Sequence, residues 1–285
     1  MKVKAKTADG SAIKVEGCSV NELANEAETT LTVTNPERKL ALIGDIIELD
    51  CSGEKTPGGN KPLIALDVSG CTALQKLNCR FNFITELDVQ GLTELQELYC
   101  NSNKITVLDV HGLTKLEKLY CNTNRLTALN VLGCIALKEL YCNSNELKLT
   151  ALNVQGLTEL QELNCGGNQL STLDVSGLTA LQQLNCDSNQ LSSLNVQGCI
   201  ALKSLTCYKN KLNADAFTKL FNDLPTREAS DGAKAILYVD RAGVTEENCT
   251  NFTTPESLKK AFEDAKNVKH WKMQKIGEIG FPSDI

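Results

Sequence analysis

Hydrophobic residues recur at fixed positions through the middle of the chain. The string Leu74-Gln-Lys-Leu77-Asn-Cys79-Arg-Phe-Asn82 returns in further copies at a step of 21 residues, lengthened once to 23. Within each copy apolar and polar residues alternate, so Leu77 and Cys79 share one face of a short strand and Asn78 lies on the other. A fixed period of about 20 to 50 residues is typical of a solenoid, in which each coil buries its apolar face against its neighbours.

Each copy carries an inward cysteine and, three residues later, an asparagine. We predict that the cysteines pack as small hydrophobic thiols, because parallel Cβ vectors along a column suit neither a disulfide nor a tetrahedral zinc site. We predict that the asparagines turn inward and bond the backbone of the neighbouring coil. The cysteines are Cys79, Cys100, Cys121, Cys142, Cys165, Cys186 and Cys207, and the asparagines are Asn82, Asn103, Asn124, Asn145, Asn168, Asn189 and Asn210.

In every copy an Asp or Asn, followed three residues later by a glycine, marks the turn. We predict a positive φ at these glycines and an Asx-turn at the preceding Asp or Asn, with a calcium site as the less favoured alternative. The glycines are Gly70, Gly91, Gly112, Gly133, Gly156, Gly177 and Gly198, and the turn residues are Asp67, Asp88, Asp109, Asn130, Asn153, Asp174 and Asn195.

The pattern changes on both sides of the repeats. Residues 1–45 contain alternating stretches around Asp9-Gly10, which predicts a hairpin within a β-rich cap. Residues 46–212 hold one irregular and seven regular coils. The predicted fold class is an α/β solenoid whose strands stack into a continuous parallel sheet.

Residues 213–285 are predicted to form a second cap, of the α/β type. Asn213 is suited to cap a helix that Pro225 ends, and a strand, a second helix and a last strand follow. Parallel strands joined by helices continue a parallel sheet through right-handed crossovers. The tail from Gly277 onwards is predicted to be loose.

The pattern Leu-x-x-Leu-x-Cys-x-x-Asn-x-Leu/Ile, followed by Leu-Asp/Asn-Val-x-Gly, resembles the leucine-rich repeat with cysteine in place of its third leucine. The short unit, with Leu-Asn-Val-Gln-Gly and Glu-Leu-Tyr-Cys-Asn, is similar to the repeats of bacterial proteins, those of treponemes in particular. This resemblance implies a horseshoe or arc with a parallel concave sheet and a mostly irregular convex side. It also implies a binding module, often at the cell surface.

Composition narrows the classes of partner. The net charge is −6 at pH 7 without a basic run, which disfavours nucleic acid. No stretch approaches the roughly 18 consecutive apolar residues of a transmembrane segment. The first residues, Met1 to Thr7, lack the apolar core of a secretory signal. The expected location is the cell envelope or surface if a leader has been removed, with the cytoplasm as the alternative.

The sequence offers no recognisable catalytic arrangement. Its only histidines, His111 and His270, have no evident partner, and phosphate loops, Gly-x-Ser-x-Gly and His-Glu-x-x-His are absent. We therefore expect no enzyme activity, no cofactor and no metal site.

Polar and aromatic residues at the outward strand positions predict a binding site on the concave face. Rigid tyrosines beside hydrogen-bonding amides are typical of recognition surfaces. The alternative is that the stacked rings only stabilise the sheet. We expect a protein partner, with a glycan as the other possibility. The candidate residues are Tyr99, Tyr120 and Tyr141 in one row, Arg80, Asn101, Asn122 and Asn143 in the next, and Phe81 and Phe83 beyond them.

A second hypothesis is self-association. Leu132 stands at a turn position where other copies have Ser, Gln or His, and the lengthened copy adds Leu147 and Leu149. An exposed apolar patch of these leucines would mark an interface between copies of the chain. The alternative is a local bulge that tucks Leu147 or Leu149 into the core.

Overall fold

The structure, a computed structural model, describes residues 2–53, 62–146 and 148–285. It contains two compact units, Met1–Lys148 and Leu149–Ile285. The strands of the first unit are β1 (Lys2–Thr7), β2 (Ile13–Glu16), β3 (Glu22–Leu23), β4 (Thr29–Thr30), β5 (Lys39–Ile43), β6 (Ile46–Asp50), β7 (Ala65–Asp67), β8 (Lys76–Asn78), β9 (Glu97–Tyr99), β10 (Val107–Asp109), β11 (Lys118–Tyr120), β12 (Ala128–Asn130) and β13 (Glu139–Tyr141).

The main sheet of the first unit has the order β4-β1-β6-β8-β9-β11-β13. From β6 to β13 the strands are parallel and in register, with Leu49, Leu77, Leu98 and Leu119 opposite one another. These leucines are buried, and the residues on either side of them face the concave surface. The predicted alternation of inward and outward residues is thus confirmed.

A second, shorter set of strands lies on the convex side of the first unit. β5 pairs in parallel with β7, and β10 pairs in parallel with β12. β5 falls within the segment 1–45 that was expected to be the cap, so convex stacking begins inside it. The domain boundaries at 45/46 and 212/213 stay a prediction.

The predicted hairpin around Asp9-Gly10 is wrong. β1 pairs antiparallel with β6 and β4, whereas β2 pairs with β3 and β5 in the convex layer. The apolar residues Val3 and Ala5 of β1 are buried because β1 covers the edge of the main sheet. The two strands therefore belong to different layers, and the turn carries the chain from one to the other.

The asparagines form the predicted ladder. Asn103 donates from Nδ2 to the carbonyl oxygens of Cys79 and Cys100, both at 3.0 Å, and its Oδ1 accepts the Ile84 N–H at 3.0 Å. The residue before each ladder asparagine has a left-handed backbone with φ between 52° and 67°, a tight turn that points the amide inward. These left-handed residues are Phe81, Ser102, Thr123, Ser144, Gly167, Ser188 and Lys209.

All thirteen cysteines lie in the described ranges and are thiols. Those of the inward column are buried, and burial raises the pKa of Cys79 and of Cys142 to about 12. On the convex side, Cys134 and Cys199 replace leucine, and each Sγ–H donates to a valine carbonyl one coil earlier at 3.1 Å. The prediction of buried thiols is confirmed.

The turn predictions are largely confirmed. Each of the seven Asp or Asn turn residues accepts the N–H two residues later at 2.9–3.2 Å, as Asp88 does from Gln90. Six of the seven glycines have φ between 73° and 83°. Gly70 is the exception, because its φ lies outside the left-handed region. The backbone conformation at position 70 is therefore compatible with residues other than glycine.

The elements of the second unit are β14 (Glu162–Asn164), β15 (Gln183–Asn185), β16 (Ser204–Thr206), α1 (Ala214–Asp223), β17 (Lys234–Val239), α2 (Glu256–Asn267), β18 (Lys272–Ile276) and β19 (Pro282–Asp284), with a 3₁₀ turn at Ala229–Asp231. β14 to β18 are parallel, which confirms the predicted continuation of the parallel sheet. The tail is not loose, because β19 pairs antiparallel with β18.

α1 begins where its sequence indicates, and the two helices pack against each other through aromatic side chains. Asn213 caps α1 by accepting the Ala216 N–H at 2.9 Å, and Phe221 of α1 contacts Phe262 of α2 with ring centroids 5.5 Å apart. Of the helices in the described ranges, none combines the length and hydrophobicity needed to cross a bilayer.

Candidate functional site

The three tyrosines lie side by side on the concave surface of the first unit. They are in register on β9, β11 and β13, because each coil repeats the same strand position. The ring centroids of Tyr99 and Tyr120 are 5.1 Å apart with a tilt of 40°, and those of Tyr120 and Tyr141 are 4.6 Å apart and stacked at 9°. All three side chains are half-buried. The row is therefore a continuous aromatic strip.

A row of alternating charges runs beside this strip. The Lys76 Nζ lies 2.7 Å from a Glu97 carboxylate oxygen, and the Lys118 Nζ lies 2.8 Å from one of Glu139. Towards β1 the alternation continues, with the Lys6 Nζ 4.0 Å from Glu48. Cross-strand pairing of opposite charges neutralises the row within the protein. In register the row is Lys6, Glu48, Lys76, Glu97, Lys118 and Glu139.

Tyrosine hydroxyls also bind this charged row. The Tyr99 hydroxyl donates to Glu97 Oε2 at 3.0 Å, and the Tyr120 hydroxyl donates to Glu139. Burial and the Glu97 carboxylate raise the pKa of Tyr99. Burial alone would raise the pKa of Glu97, but hydrogen bonds from Lys76 and Tyr99 hold that pKa below its ordinary value. At neutral pH the rings are therefore phenols fixed against ionised carboxylates.

The amide row lies on the other side of the strip. Asn101, Asn122 and Asn143 are half-buried, and their spacing follows from backbone bonds such as Ser102 N–H to the Asn122 carbonyl at 3.0 Å. Among the described residues, the side chains of Asn122 and Asn143 donate only to the neighbouring hydroxyls, at 3.4 Å and 3.2 Å. The amides therefore keep hydrogen-bonding capacity for a ligand.

Arg80 stands at the β8 end of the amide row. Its side chain is exposed, and its carbonyl accepts the Gly53 N–H at 2.8 Å. Among the described residues, no carboxylate oxygen lies within ion-pair distance, 4.0 Å, of the Arg80 guanidinium. Arg80 is thus a cation that this part of the structure leaves open to a ligand.

The two phenylalanines do not join the tyrosine row. Phe81 precedes the ladder Asn82 in the left-handed position, where its ring lies 5.7 Å from the Arg80 guanidinium carbon. Phe83 follows Asn82, and the Lys104 Nζ lies 4.4 Å from its ring centroid. Phe81 therefore flanks Arg80, whereas Phe83 lies on the lateral side of the coil. The structure does not bring Phe83 together with the other candidate residues.

The proposed apolar patch is only partly present. Leu132 is 63% exposed, and Ile135 on the same coil is 59% exposed. Leu149 is completely buried, so its predicted place in an exposed interface is wrong. Its side chain fills the core because its N–H binds the ladder residue Asn168 at 3.1 Å, which holds the backbone in the ordinary repeat position. Leu147 lies outside the described residues.

Groups suited to catalysis or metal binding are dispersed. His111 is exposed, and its Nδ1 lies 3.0 Å from Asp109 within the same Asx-turn. In the ranges that the structure describes, no three side chains of the types His, Cys, Asp and Glu converge to hold a metal ion. The stacked turn residues are occupied by their own backbone N–H groups.

The repeat geometry agrees with the comparison to known families. Residues 93–134 and 158–198 match the family described as Leucine Rich repeats (2 copies). These coils are leucine-rich repeats. Leucine-rich repeat domains are typically non-enzymatic modules for protein–protein interaction. A comparison with curated proteins finds no match.

Several solved bacterial structures are similar to this chain. The functional domain of InlJ from Listeria monocytogenes, described as including a cysteine ladder, is 32% identical with a TM-score of 0.53, over 69% of this chain and 49% of that chain. This chain thus spans about half the length of the InlJ structure. A leucine-rich repeat protein of Leptospira interrogans is 20% identical with a TM-score of 0.46, over 74% and 64% of the two chains. YopM from Yersinia enterocolitica is 22% identical with a TM-score of 0.48, over 68% and 43%. The treponemal resemblance stays a prediction.

Sequence reasoning missed an additional ladder asparagine in the second unit. Asn248 donates from Nδ2 to the Cys207 and Leu237 carbonyl oxygens, both at 2.9 Å, and accepts the Leu212 N–H at 2.9 Å. It follows β17 after a loop, whereas the repeat asparagines follow their strands directly. The Glu246 carboxylate closes that loop by accepting the N–H groups of Lys209 and Val239. The only signal in the sequence is an asparagine after a strand at an irregular spacing.

Proposed function

We propose that this protein is a non-enzymatic binding module that recognises a protein through the concave tyrosine strip of its first unit. The observation that supports this most is the row of Tyr99, Tyr120 and Tyr141, stacked in register beside a row of asparagines. Tyrosine is enriched among the residues that dominate binding energy at protein interfaces.

The strip is held in place before any ligand arrives. Stacking between the rings and the hydroxyl bonds to Glu97 and Glu139 restrict the side chains. Ordering a flexible side chain at an interface costs about 0.5–1.5 kcal/mol, so prior ordering favours binding. Cross-strand stacking also stabilises the sheet by about 0.2–1 kcal/mol per pair, and this contribution is compatible with recognition.

Site-specific photo-crosslinking tests the proposal. Tyr120 is replaced by benzoylphenylalanine in the full chain, and a matched protein carries the same group at the exposed convex His111. Each is irradiated with cell-envelope and cytoplasmic fractions of the organism that encodes it. We expect a discrete protein adduct from position 120, in the envelope fraction, and none from position 111.

Competition makes the result quantitative. Unlabelled wild-type chain should suppress the adduct, whereas Tyr120→Ala should compete more weakly, because a central ring contributes on the order of 2 kcal/mol to binding. Equal adducts from both positions, or equal competition by Tyr120→Ala, would exclude the tyrosine strip as the binding site. The convex surface would then be the better candidate.

Self-association is the second candidate function, and the exposure of Leu132 and Ile135 on one coil supports it. Sedimentation of the wild type at high concentration, compared with Leu132→Asp and Ile135→Asp, tests it. A dimer that dissociates in both variants is expected. A wild-type monomer at about 100 μM, far above the Kd of ordinary specific complexes, contradicts this candidate.

A further inference from the structure

We infer that the partner presents an acidic peptide segment to this surface, with one of its carboxylates bound by Arg80. The inference rests on the proposed function of the tyrosine strip and specifies its ligand. Three features of the first unit lead to it: the covered faces of the central tyrosine, a self-neutralised charged row, and a row of N–H donors that begins with an open guanidinium.

The faces of the central ring, Tyr120, are not available for a ligand to stack on. Tyr120 has Tyr99 at 5.1 Å on one side and Tyr141 at 4.6 Å on the other, measured between centroids. The Lys76 Nζ lies 5.6 Å from the Tyr99 ring centroid. A sugar ring that packs flat on an aromatic face therefore finds no open face on Tyr120. What the central ring presents to solvent is its edge, which carries the positive part of the aromatic quadrupole.

The charged row does not select a charged partner, because its lysines and glutamates pair with each other. Lys76 and Lys118 are bound to Glu97 and Glu139 at 2.7 Å and 2.8 Å. Arg80 is different, since among the described residues it has no carboxylate within 4.0 Å. A guanidinium is a fork of donors that matches a carboxylate in two parallel bonds.

Arg80 is aligned with the amide row, so a single extended segment can reach both. From Arg80 to Asn143 there are three strand steps, about 14 Å at 4.8 Å per step. An extended peptide rises about 3.3 Å per residue, so four or five residues span this distance. Positive ring edges, amide N–H groups and a guanidinium all favour electron-rich acceptors. An Asp- or Glu-containing segment supplies them through its carboxylates and its backbone carbonyl groups.

A selected peptide provides the test. A phage-displayed library of random dodecapeptides is panned against the immobilised full chain. The enriched peptides are then measured against the wild type, Arg80→Gln, Arg80→Lys, Tyr120→Ala and the matched control Arg125→Gln, whose guanidinium pairs with Glu146 away from the strip. A glycan array is probed in parallel.

We expect enriched peptides with Asp or Glu within five residues of an apolar residue. Their affinity should fall about tenfold or more in Arg80→Gln, as for a lost charge-assisted bond, and should be unchanged in Arg125→Gln. Arg80→Lys should retain part of the affinity, because the charge remains without the fork.

Failure of this inference can be told apart from failure of the proposed function. One contrary result is that enriched peptides lose affinity in Tyr120→Ala and yet carry no Asp or Glu, or bind Arg80→Gln as tightly as the wild type. Such peptides overturn the acidic-segment inference and leave the binding site in place. Glycan binding that Tyr120→Ala abolishes also overturns it. If no peptide is enriched, or if enriched peptides ignore both Tyr120 and Arg80, the inference fails together with the proposed site.

Discussion

Removing one rung of the asparagine ladder should destabilise the protein by several kcal/mol. Asn124 is 3% exposed, donates to the Cys100 and Cys121 carbonyls at 3.0 Å each, and accepts the Ile105 N–H at 3.0 Å. In Asn124→Ala the Ile105 N–H is left without a partner in a buried site, which costs about 1–3 kcal/mol. The Cys100 carbonyl keeps its bond from Asn103, so its loss is smaller.

The two lost donor bonds add about 0.5–1.5 kcal/mol each, so the expected total is about 2–6 kcal/mol. Domains of this kind are stable by only about 5–15 kcal/mol, and the change is therefore a large fraction of the whole. Urea unfolding followed by circular dichroism measures it, with the slope checked for a change in cooperativity.

Asn122→Ala is the matched control, because it removes the same side chain from the same coil. Asn122 lies on the concave surface, and among the described residues its side chain makes only a 3.4 Å hydrogen bond, to Thr123 Oγ1. We expect this variant to change the free energy of unfolding by less than about 0.5 kcal/mol. The reasoning fails if Asn124→Ala costs no more than Asn122→Ala.

Three further predictions follow from the same coils. Native thiol titration should count few reactive cysteines, since burial raises the pKa of thiols such as Cys79 to about 12, and most should react only after denaturation; column disulfides in intact-mass spectra would contradict this. Thr123→Gly should raise stability by about 0.5–1 kcal/mol in urea unfolding, because Thr123 has φ 56° and Gly167 already fills that position in another coil; a loss of stability would show that the turn is not strained. Because the pKa of Glu97 is lowered on folding, its bond to Lys76 stabilises the protein above about pH 4.3 and is lost as the pH falls through the folded-state pKa. Glu97→Gln should therefore destabilise by less than about 1 kcal/mol at pH 7 and by progressively less as the pH is lowered below about 4.3, and an effect that does not change with pH would refute the ion-pair explanation.

The local periodicity of the sequence was enough to predict the coils. Alternation in Leu77-Asn78-Cys79 gives the direction of each side chain, and a fixed step places equivalent residues on neighbouring strands. For the same reason the tyrosine row and the amide row were predictable from the sequence alone. Asn213 and Pro225 likewise gave the bounds of α1, because capping is a local interaction.

Contacts between segments distant in sequence decided the pairing of β1, the burial of Leu149 and the place of Asn248 in the ladder. Nothing local distinguishes a hairpin at Asp9-Gly10 from the observed pairing of β1 with β6, because both bury the same alternating residues. The burial of Leu149 depends on its bond to Asn168, and Asn248 joins the ladder only after a loop folds back.

In the candidate site, too, the sequence determined some features and the tertiary structure decided others. The sequence by itself determined that three tyrosines occur at one strand position, since strand phase depends only on the order of residues. Only the tertiary structure decided that the rings cover each other's faces, that Glu97 and Glu139 hold two hydroxyls, and that the lysines beside them are already paired. These are properties of side chains on adjacent strands, whose rotamers are chosen jointly by packing and by opposite charges.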